Sequence, residues 1–516
     1  MDTAKGCSIV EGATMFSKRS LIPQTQTFYD DERPRNRAYI LSALGFLLVL
    51  ALTIKLAFVL NAREGDISGE LLNTNAYVAN CRTGANQLIQ SATSGSDALW
   101  NKLADFTDTI GPRLSGSVGL ENGIDWVEAR MKQDGLENVH REPVQIPAWR
   151  RGNEWAILTT PLRNKTLSIL GLGLSVGTGG AAISGDVFVV SSFDELESNC
   201  SRANGKVVVF NAEWISYGTT VAYRSRGAAA AAKCGGIAAL VRSVTPYSLY
   251  TPHTGMMSYR DGVKKIPTAS VTVEDALMMS RMQSRGTPMS VQLYMEANGD
   301  SIPEVTSYNV MGEITGSQYP NEVIVMGGHI DSWDVGEGAM DDGGGLFVSW
   351  EAVRLMKVLN LRPKRTVRVV AFVNEEDGAR GGQAYRDAHV NETTIIAIES
   401  DIGITSPKGL NVTGTDETMN ILSKIGQLLT SIDTDTILPG DGGTDVDYLS
   451  KDGANIAGLN VDYSKYFYWH HTNADTMDKL DPKDLGKSAA TMAVYSYCIA
   501  DLDKALPRNP KDISML

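Results

Sequence analysis

Residues Asn321–Gly345 read NEVIVMGGHIDSWDVGEGAMDDGGG. The run Val323–Met326 is apolar, β-rich and too short for a helix of usual length, so it reads as a buried strand. Gly327 and Gly328 end the run and deliver His329 to its C-terminal tip. Asp331 comes soon after, then the pair Asp341–Asp342, a set of glycines and an apolar helical pattern. A histidine and several carboxylates gathered in glycine-rich loop are poor core material and good metal ligands. The chain has only 6 histidines, so one set among carboxylates at a strand end carries weight.

Downstream the same arrangement recurs. Leu346–Leu359 predicts a helix whose first turn lies close to Asp341 and Asp342, where carboxylates are favoured by the helix dipole. Thr366–Val373 predicts a buried strand with Glu375 and Glu376 just beyond it, and Thr394–Ile398 a strand ending in Glu399-Ser400-Asp401. Ala457–Val461 predicts a further strand, and the loop after it holds His470 and His471. Strands alternating with helices imply an α/β fold with a mixed, largely parallel sheet, helices on both faces and ligands beyond the carboxyl ends of the strands. Histidines and carboxylates without thiolates suit zinc, and two His with three carboxylates suffice for two ions sharing one bridging group. Hydrolysis also needs a carboxylate to take the proton of the attacking water, and Glu375, beside Glu376, suits that task. On adjacent residues of an extended strand the two side chains diverge, so one can bind metal while the other faces substrate. Asp331 is expected to accept the remaining ring N–H of His329 and fix its tautomer.

Elsewhere the chain supplies organisation. At 516 residues it is too long for one average domain, and its net charge of −13 argues against a nucleic-acid surface. Its 5 cysteines form no CxxC pair, and bridges among Cys81, Cys200, Cys234 and Cys498 cannot be assigned from sequence. Residues 1–37 read as a polar cytosolic tail and 38–60 as a transmembrane helix, with Lys55 near one end able to snorkel. Arg33, Arg35 and Arg37 precede that span, whereas Arg63 alone stands close behind it. This bias predicts a single-pass type II membrane protein with its bulk lumenal or extracellular. The sequons at Asn164, Asn199, Asn391 and Asn411 all lie after the span. Residues 61–157 are expected to form a stem and the first part of the main domain, with helices around Asp97–Phe106 and Ile124–Met131 and a strand within Leu136–Ala148. Residues 158–297 carry short β runs and a small-residue helix but no acid–His cluster, and predict an inserted, non-catalytic module. Residues 298–505 hold the metal site, and 506–516 form a C-terminal tail.

The segments GGHIDSWDVGEGAMDDGGG, NEED, ESDIG, GGTDVDY and HHTNADT, in this order, resemble the M28 family of co-catalytic zinc peptidases over residues 100–505 in outline. The resemblance implies two zinc ions per subunit, one on His329, Asp341 and Asp401 and one on Asp341, Glu376 and His471. It further implies Glu375 as general base, Asp331 as the residue orienting His329, and 158–297 as a protease-associated insert domain. A homodimer acting on dipeptides is implied as well. Within HHTNADT, His471 rather than His470 begins the family-like HTxxDT segment, with Asp475 as its candidate partner. Asn374 and Asp377 depart from the family pattern around the Glu pair, and the span at 38–60 departs from secreted members. Asp342 reads as a helix-capping residue, His253 and His389 as surface residues, and Asp441, Asp445 and Asp447 as pocket wall. The aromatic run Tyr463–Trp469 reads as pocket lining or dimer contact. The competing reading is a peptidase-like receptor or binding ectodomain without catalysis.

Overall fold

The strand predicted at Val323–Met326 lies near the middle of an eight-stranded sheet. The computed structural model describes residue 78 and residues 81–509. The strand runs from Tyr319 to His329 and pairs in parallel with Arg365–Phe372 on one side and Thr393–Glu399 on the other. Asn455–Asn460 continues the parallel set beside Thr393–Glu399. Antiparallel strands Glu304–Ile314 and Glu137–Pro147 extend one edge. Gly409–Thr413 pairs antiparallel with Asn455–Asn460 and carries Thr436–Pro439 at the other edge. The sheet is therefore mixed, with its parallel strands at the centre.

Both faces of that centre are covered, which explains why the strands read as near-continuous apolar runs. Ile324, Met326, Val367, Val369, Ile396 and Ile398 face the helices Gly344–Val358 and Pro482–Ala500. The alternate residues Val323, Val325, Val370, Phe372 and Ala397 pack against Tyr385, Val446 and Leu449 on the opposite face. Each Val or Ile so buried contributes roughly 1.5–3 kcal/mol. The helices Ser96–Ile110 and Val118–Gln133 pack on the first face, and the helical segment 81–94 joins the same core. Two disulfides settle the pairing that the sequence left open: Cys81–Cys498 and Cys200–Cys234.

A second eight-stranded sheet occupies residues between Glu154 and Met295, so it begins a few residues before position 158, the expected start of the insert. Its strands include Ile183–Val190, Val207–Phe210 and Ala238–Arg242, mutually parallel in that order. The alanine-rich run lies in the helix Tyr217–Lys233, where Ala228 and Ala231 pack against Phe210 and Val241.

The expected transmembrane helix over 38–60 and the tail before it lie outside the described residues. No helix among the described residues is long and apolar enough to cross a membrane. The helix Pro482–Ala500 spans 19 residues but carries Lys483, Asp484 and Lys487 in its first turns. The single-pass anchor, and the lumenal or extracellular placement drawn from it, are therefore not supported.

Candidate active site

Four neighbouring parallel strands end on the same edge of the main sheet, and the loops leaving those ends build the site. His329 is the last residue of its strand, and its backbone N–H donates to Asp342 Oδ2 at 3.0 Å. Asp342 Oδ1 accepts the N–H of Gly345 at 3.1 Å, in the first turn of the next helix. A Cβ on Gly345 would collide with the Ser400 carbonyl and the Asp342 carboxylate, so only glycine lets the helix start here. The His329 ring is held at Nδ1 by the backbone carbonyl of Asp331 at 3.0 Å. Its Nε2 lies 3.2 Å from Asp341 Oδ1 and 3.1 Å from Asp401 Oδ1.

Asp341 turns its other oxygen to a second group. His471 Nε2 lies 3.3 Å from Asp341 Oδ2 and 3.0 Å from Glu376 Oε2. Asp341 thus presents Oδ1 to one donor set and Oδ2 to another. Its backbone is fixed by Asp475, whose two carboxylate oxygens accept the N–H groups of Met340 and Asp341 at 2.7 and 3.1 Å. That is a different task from the partnering of His471 expected of Asp475. The peptide bond between Asp341 and Asp342 is cis. Arg113, fully buried, donates to the carbonyls of Gly111, Ile330, Glu337 and Gly338 and so binds the loop on both sides of Asp331 to the end of a helix.

The Glu pair departs from expectation. The strand stops at Phe372, Asn374 takes a positive φ of 68°, and Glu375 and Glu376 lie in a turn rather than an extended strand. The turn separates the two side chains by a different route: Glu376 reaches His471, while Glu375 lines the pocket. Asp331 serves this turn and not the His329 ring. Its Oδ1 and Oδ2 accept the backbone N–H groups of Glu375 and Glu376 at 3.1 and 3.3 Å, whereas Oδ1 stands 3.9 Å from His329 Nδ1.

The region read as non-catalytic also reaches the site. Tyr217, Arg224 and Met256 line the pocket together with Tyr466, Phe467 and His470, and the cavity measures about 450 Å³. His253, expected at the surface, is buried, and its Nδ1 contacts the His470 carbonyl at 2.8 Å. His389 is likewise not a free surface residue: it stacks on Tyr385 and lies 3.0 Å from both Glu142 and Glu392. His470 stacks on His471 with ring centroids 3.5 Å apart and stands 3.7 Å from Asp341 Oδ2. Thr444 lines the pocket, whereas Asp445, read as pocket wall, is buried and does not line it; Glu399 Oε2 accepts the N–H groups of Asp445 and Val446. Nothing in the local sequence marks Arg113, Arg224 or His253, because their partners lie on distant segments.

The electrostatics fit a metal centre. Burial, with the nearby Asp401 charge, pushes Glu399 up to about 8, and burial with the Asp341 charge pushes Asp475 up to about 7. Burial opposes protonation of His329 and His471, yet the surrounding carboxylates outweigh it and lift both pKa values well above the usual imidazole value. Such a site stabilises positive charge strongly. Asp341 Oδ2 and Glu376 Oε1 are buried without a hydrogen-bond partner, as expected of oxygens meant for a cation. Ligand atoms on a tetrahedral zinc stand about 3.3 Å apart, close to the spacings around Asp341. Donor atoms of His329, Asp341 and Glu376, of His329, Asp342 and Asp401, and of Asp341, His470 and His471 each lie within 4.8 Å of one another. Asp342 and His470 are thus close enough to be alternative ligands, although Asp342 already accepts two backbone N–H groups.

The fold, this donor set and the protein's relatives together define a zinc metallopeptidase of the exopeptidase kind. Peptidase family M28 matches residues 309–496. Carboxypeptidase Q of Bos taurus is 46% identical over 450 residues, 87% of this chain and 92% of the bovine protein. Carboxypeptidase Q of Homo sapiens is 47% identical over 436 residues, 84% of this chain and 92% of the human protein. The crystal structure of a peptidase M28 precursor from Shewanella amazonensis SB2B superposes with a TM-score of 0.79 at 32% identity, covering 84% of this chain and 100% of that one. A zinc aminopeptidase from Bacillus subtilis shares the fold, with a TM-score of 0.59 at 18% identity over 80% of this chain and 98% of its own. The chain belongs to peptidase family M28.

Proposed function

We propose that this chain is a co-catalytic two-zinc exopeptidase that hydrolyses dipeptides or other short peptides. The observation that carries the reading is the opposed use of Asp341, with Oδ1 toward His329 and Oδ2 toward His471. His329, Asp341 and Asp401 would hold one ion, and Asp341, Glu376 and His471 the other. When bound, zinc supplies Lewis acidity and lowers the pKa of water.

The chain's own residues do the rest. Glu375 takes the proton of the attacking water and returns it to the leaving amine. Burial, then the Asp401 charge, raises its pKa well above the usual carboxylate value, which favours a group that must both accept and donate. The Asp331 carboxylate holds the backbone of Glu375 and Glu376 in place. Tyr217, Tyr448, Phe467, Met256 and Ile402 offer apolar wall to substrate side chains. The cavity falls in the range of about 300–1,000 Å³ that suits a small ligand. The second sheet is proposed to be a protease-associated insert, and the homodimer rests on the family resemblance alone.

The test is hydrolysis of di- and tripeptides, free or blocked at either end, by the purified protein with and without chelator, alongside metal analysis. Two equivalents of zinc and chelator-sensitive cleavage of free dipeptides are expected. Cleavage indifferent to chelation, or a preparation holding at most one tightly bound ion, rejects the two-zinc mechanism.

A further inference from the structure

His471 has a backbone φ of +61°, an uncommon conformation for a residue with a side chain, at the position where its ring must meet Asp341 and Glu376. The hydrogen-bond partners of its backbone carbonyl and of its Nδ1 come from the second sheet's layer. The Thr254 N–H donates to the His471 carbonyl at 3.0 Å. The Thr254 carbonyl stands 3.2 Å from His471 Nδ1. One residue therefore grips both the backbone and the ring of His471. Next to it, His253 Nδ1 contacts the His470 carbonyl at 2.8 Å.

This strap is itself organised by one buried cation. Arg224 donates from Nη1 to the Thr254 carbonyl at 3.4 Å, from Nε to the Met256 carbonyl at 3.3 Å and from Nη2 to the Tyr217 hydroxyl at 2.8 Å. Gly255, at φ +137°, lies directly against the guanidinium, where any Cβ would collide with it. On its other side the Thr254 hydroxyl donates to the Gly171 carbonyl at 2.8 Å and lies 3.3 Å from Arg151 Nη2. Arg224 Nη1 also approaches His471 Nδ1 to 3.4 Å. Of the two groups that meet Nδ1, the Thr254 carbonyl is the nearer, at 3.2 Å, and as an acceptor it takes an Nδ1–H, against the guanidinium, an obligate donor, which would need a lone pair there. With the proton on Nδ1, the lone pair of Nε2 faces Asp341 and Glu376, the tautomer that a metal ligand needs.

We propose that Arg224 is a positioning residue for the second ion: it fixes the 253–256 strap, and the strap fixes the ring orientation and tautomer of His471. The inference rests on the two-zinc reading above. It makes affinity at the His471 position depend on a side chain from the layer that carries none of the ligands, while the His329 position is independent of it.

The test is competitive metal removal from the purified chain with a graded zinc chelator, measuring zinc per protein, with visible spectra of Co2+-loaded protein as a second readout. Arg224→Met is expected to keep one equivalent at wild-type affinity and to weaken the other about 10–100-fold, with a changed Co2+ spectrum. Arg224→Lys, which reaches fewer of the acceptors, is expected to fall between the two. Should Arg224→Met not fold, Thr254→Val tests the same strap by removing the hydroxyl that anchors it to Gly171 and Arg151, with a smaller selective weakening expected. Both equivalents held at wild-type affinity in a folded Arg224→Met or Thr254→Val protein overturn the proposal, whatever happens to turnover. A wild-type protein that never binds two equivalents overturns the two-zinc reading instead, so the two failures are distinguishable.

Discussion

The Asp331 carboxylate accepts the backbone N–H of Glu375 at 3.1 Å, across two strands of the main sheet. His329, two residues before Asp331, is held by the Asp331 backbone carbonyl instead. The two tasks can therefore be separated by mutation. Asp331→Asn keeps one acceptor oxygen but turns an amide N–H toward the other backbone donor, which loosens the turn carrying Glu375 and Glu376. Turnover is expected to fall by up to about 10²-fold, the scale of a modest misplacement of a catalytic group, while the ion at His329 stays bound. Zinc analysis and kcat on the same sample check it. Loss of the His329 ion with unchanged turnover per remaining active site would show that Asp331 acts through the histidine after all.

Glu375 lines the pocket and makes no approach to a histidine comparable with that of Glu376. Glu375→Gln preserves shape and removes the base. A fall in kcat of about 10²–10⁴-fold is expected, with zinc content and melting temperature close to wild type. A variant that retained more than about a tenth of the activity would assign the proton transfer to another group.

Much of this site is legible in the sequence because apolar runs mark strand ends well. Such runs stop where the chain leaves the sheet, and His329, Asp401 and the Glu375–Glu376 pair each stand close to such a stop. Residue types alone do not convey which atom does the work. Asp331 lies near His329 in sequence, which suggests action by its side chain, but the backbone carbonyl performs that role. Glu375 and Glu376 read as the end of a strand, yet the left-handed Asn374 has already bent the chain into a turn. The strap at His253–Thr254 reaches His470 and His471 across 217 positions, so no local pattern can announce it. The helix predicted over 38–60 gains no support from the described residues.

His389 shows how much a lone histidine can hide. Burial opposes its protonation, but hydrogen bonds with Glu142 and Glu392 outweigh this and raise its pKa to about 9. A pKa raised on folding contributes stability that is complete below the unfolded value near 6.5 and is lost as pH rises through about 9. Comparing wild type with His389→Gln by urea unfolding, the gap is expected to be on the order of 2–3 kcal/mol at pH 6 and to shrink above pH 9. Glu392, lowered to about 2, titrates far below this window and does not confuse it. A gap that is the same at both pH values contradicts the charged pairing.

The two disulfides differ in exposure, and that difference orders their chemistry. Cys81 and Cys498 are buried in the main core and join the helical segment 81–94 to the helix Pro482–Ala500 across 417 positions. Cys200 and Cys234 are partly exposed and close a separation of only 34. A thiolate reductant must reach the sulfur it attacks, so the Cys200–Cys234 bond is expected to open first under native conditions, and Cys81–Cys498 only as the core unfolds. The longer bridge should nonetheless stabilise more, because it restricts a larger loop in the unfolded chain. Replacing Cys81 and Cys498 by serine is expected to cost about 2–5 kcal/mol, and replacing Cys200 and Cys234 less. Timed alkylation during reduction, read by mass spectrometry, tests the order, and urea unfolding of the two double variants tests the ranking. If Cys81–Cys498 opened first in native buffer, segment 81–94 would have to detach from the core well before global unfolding, against the burial of Ala85, Leu88 and Ala92.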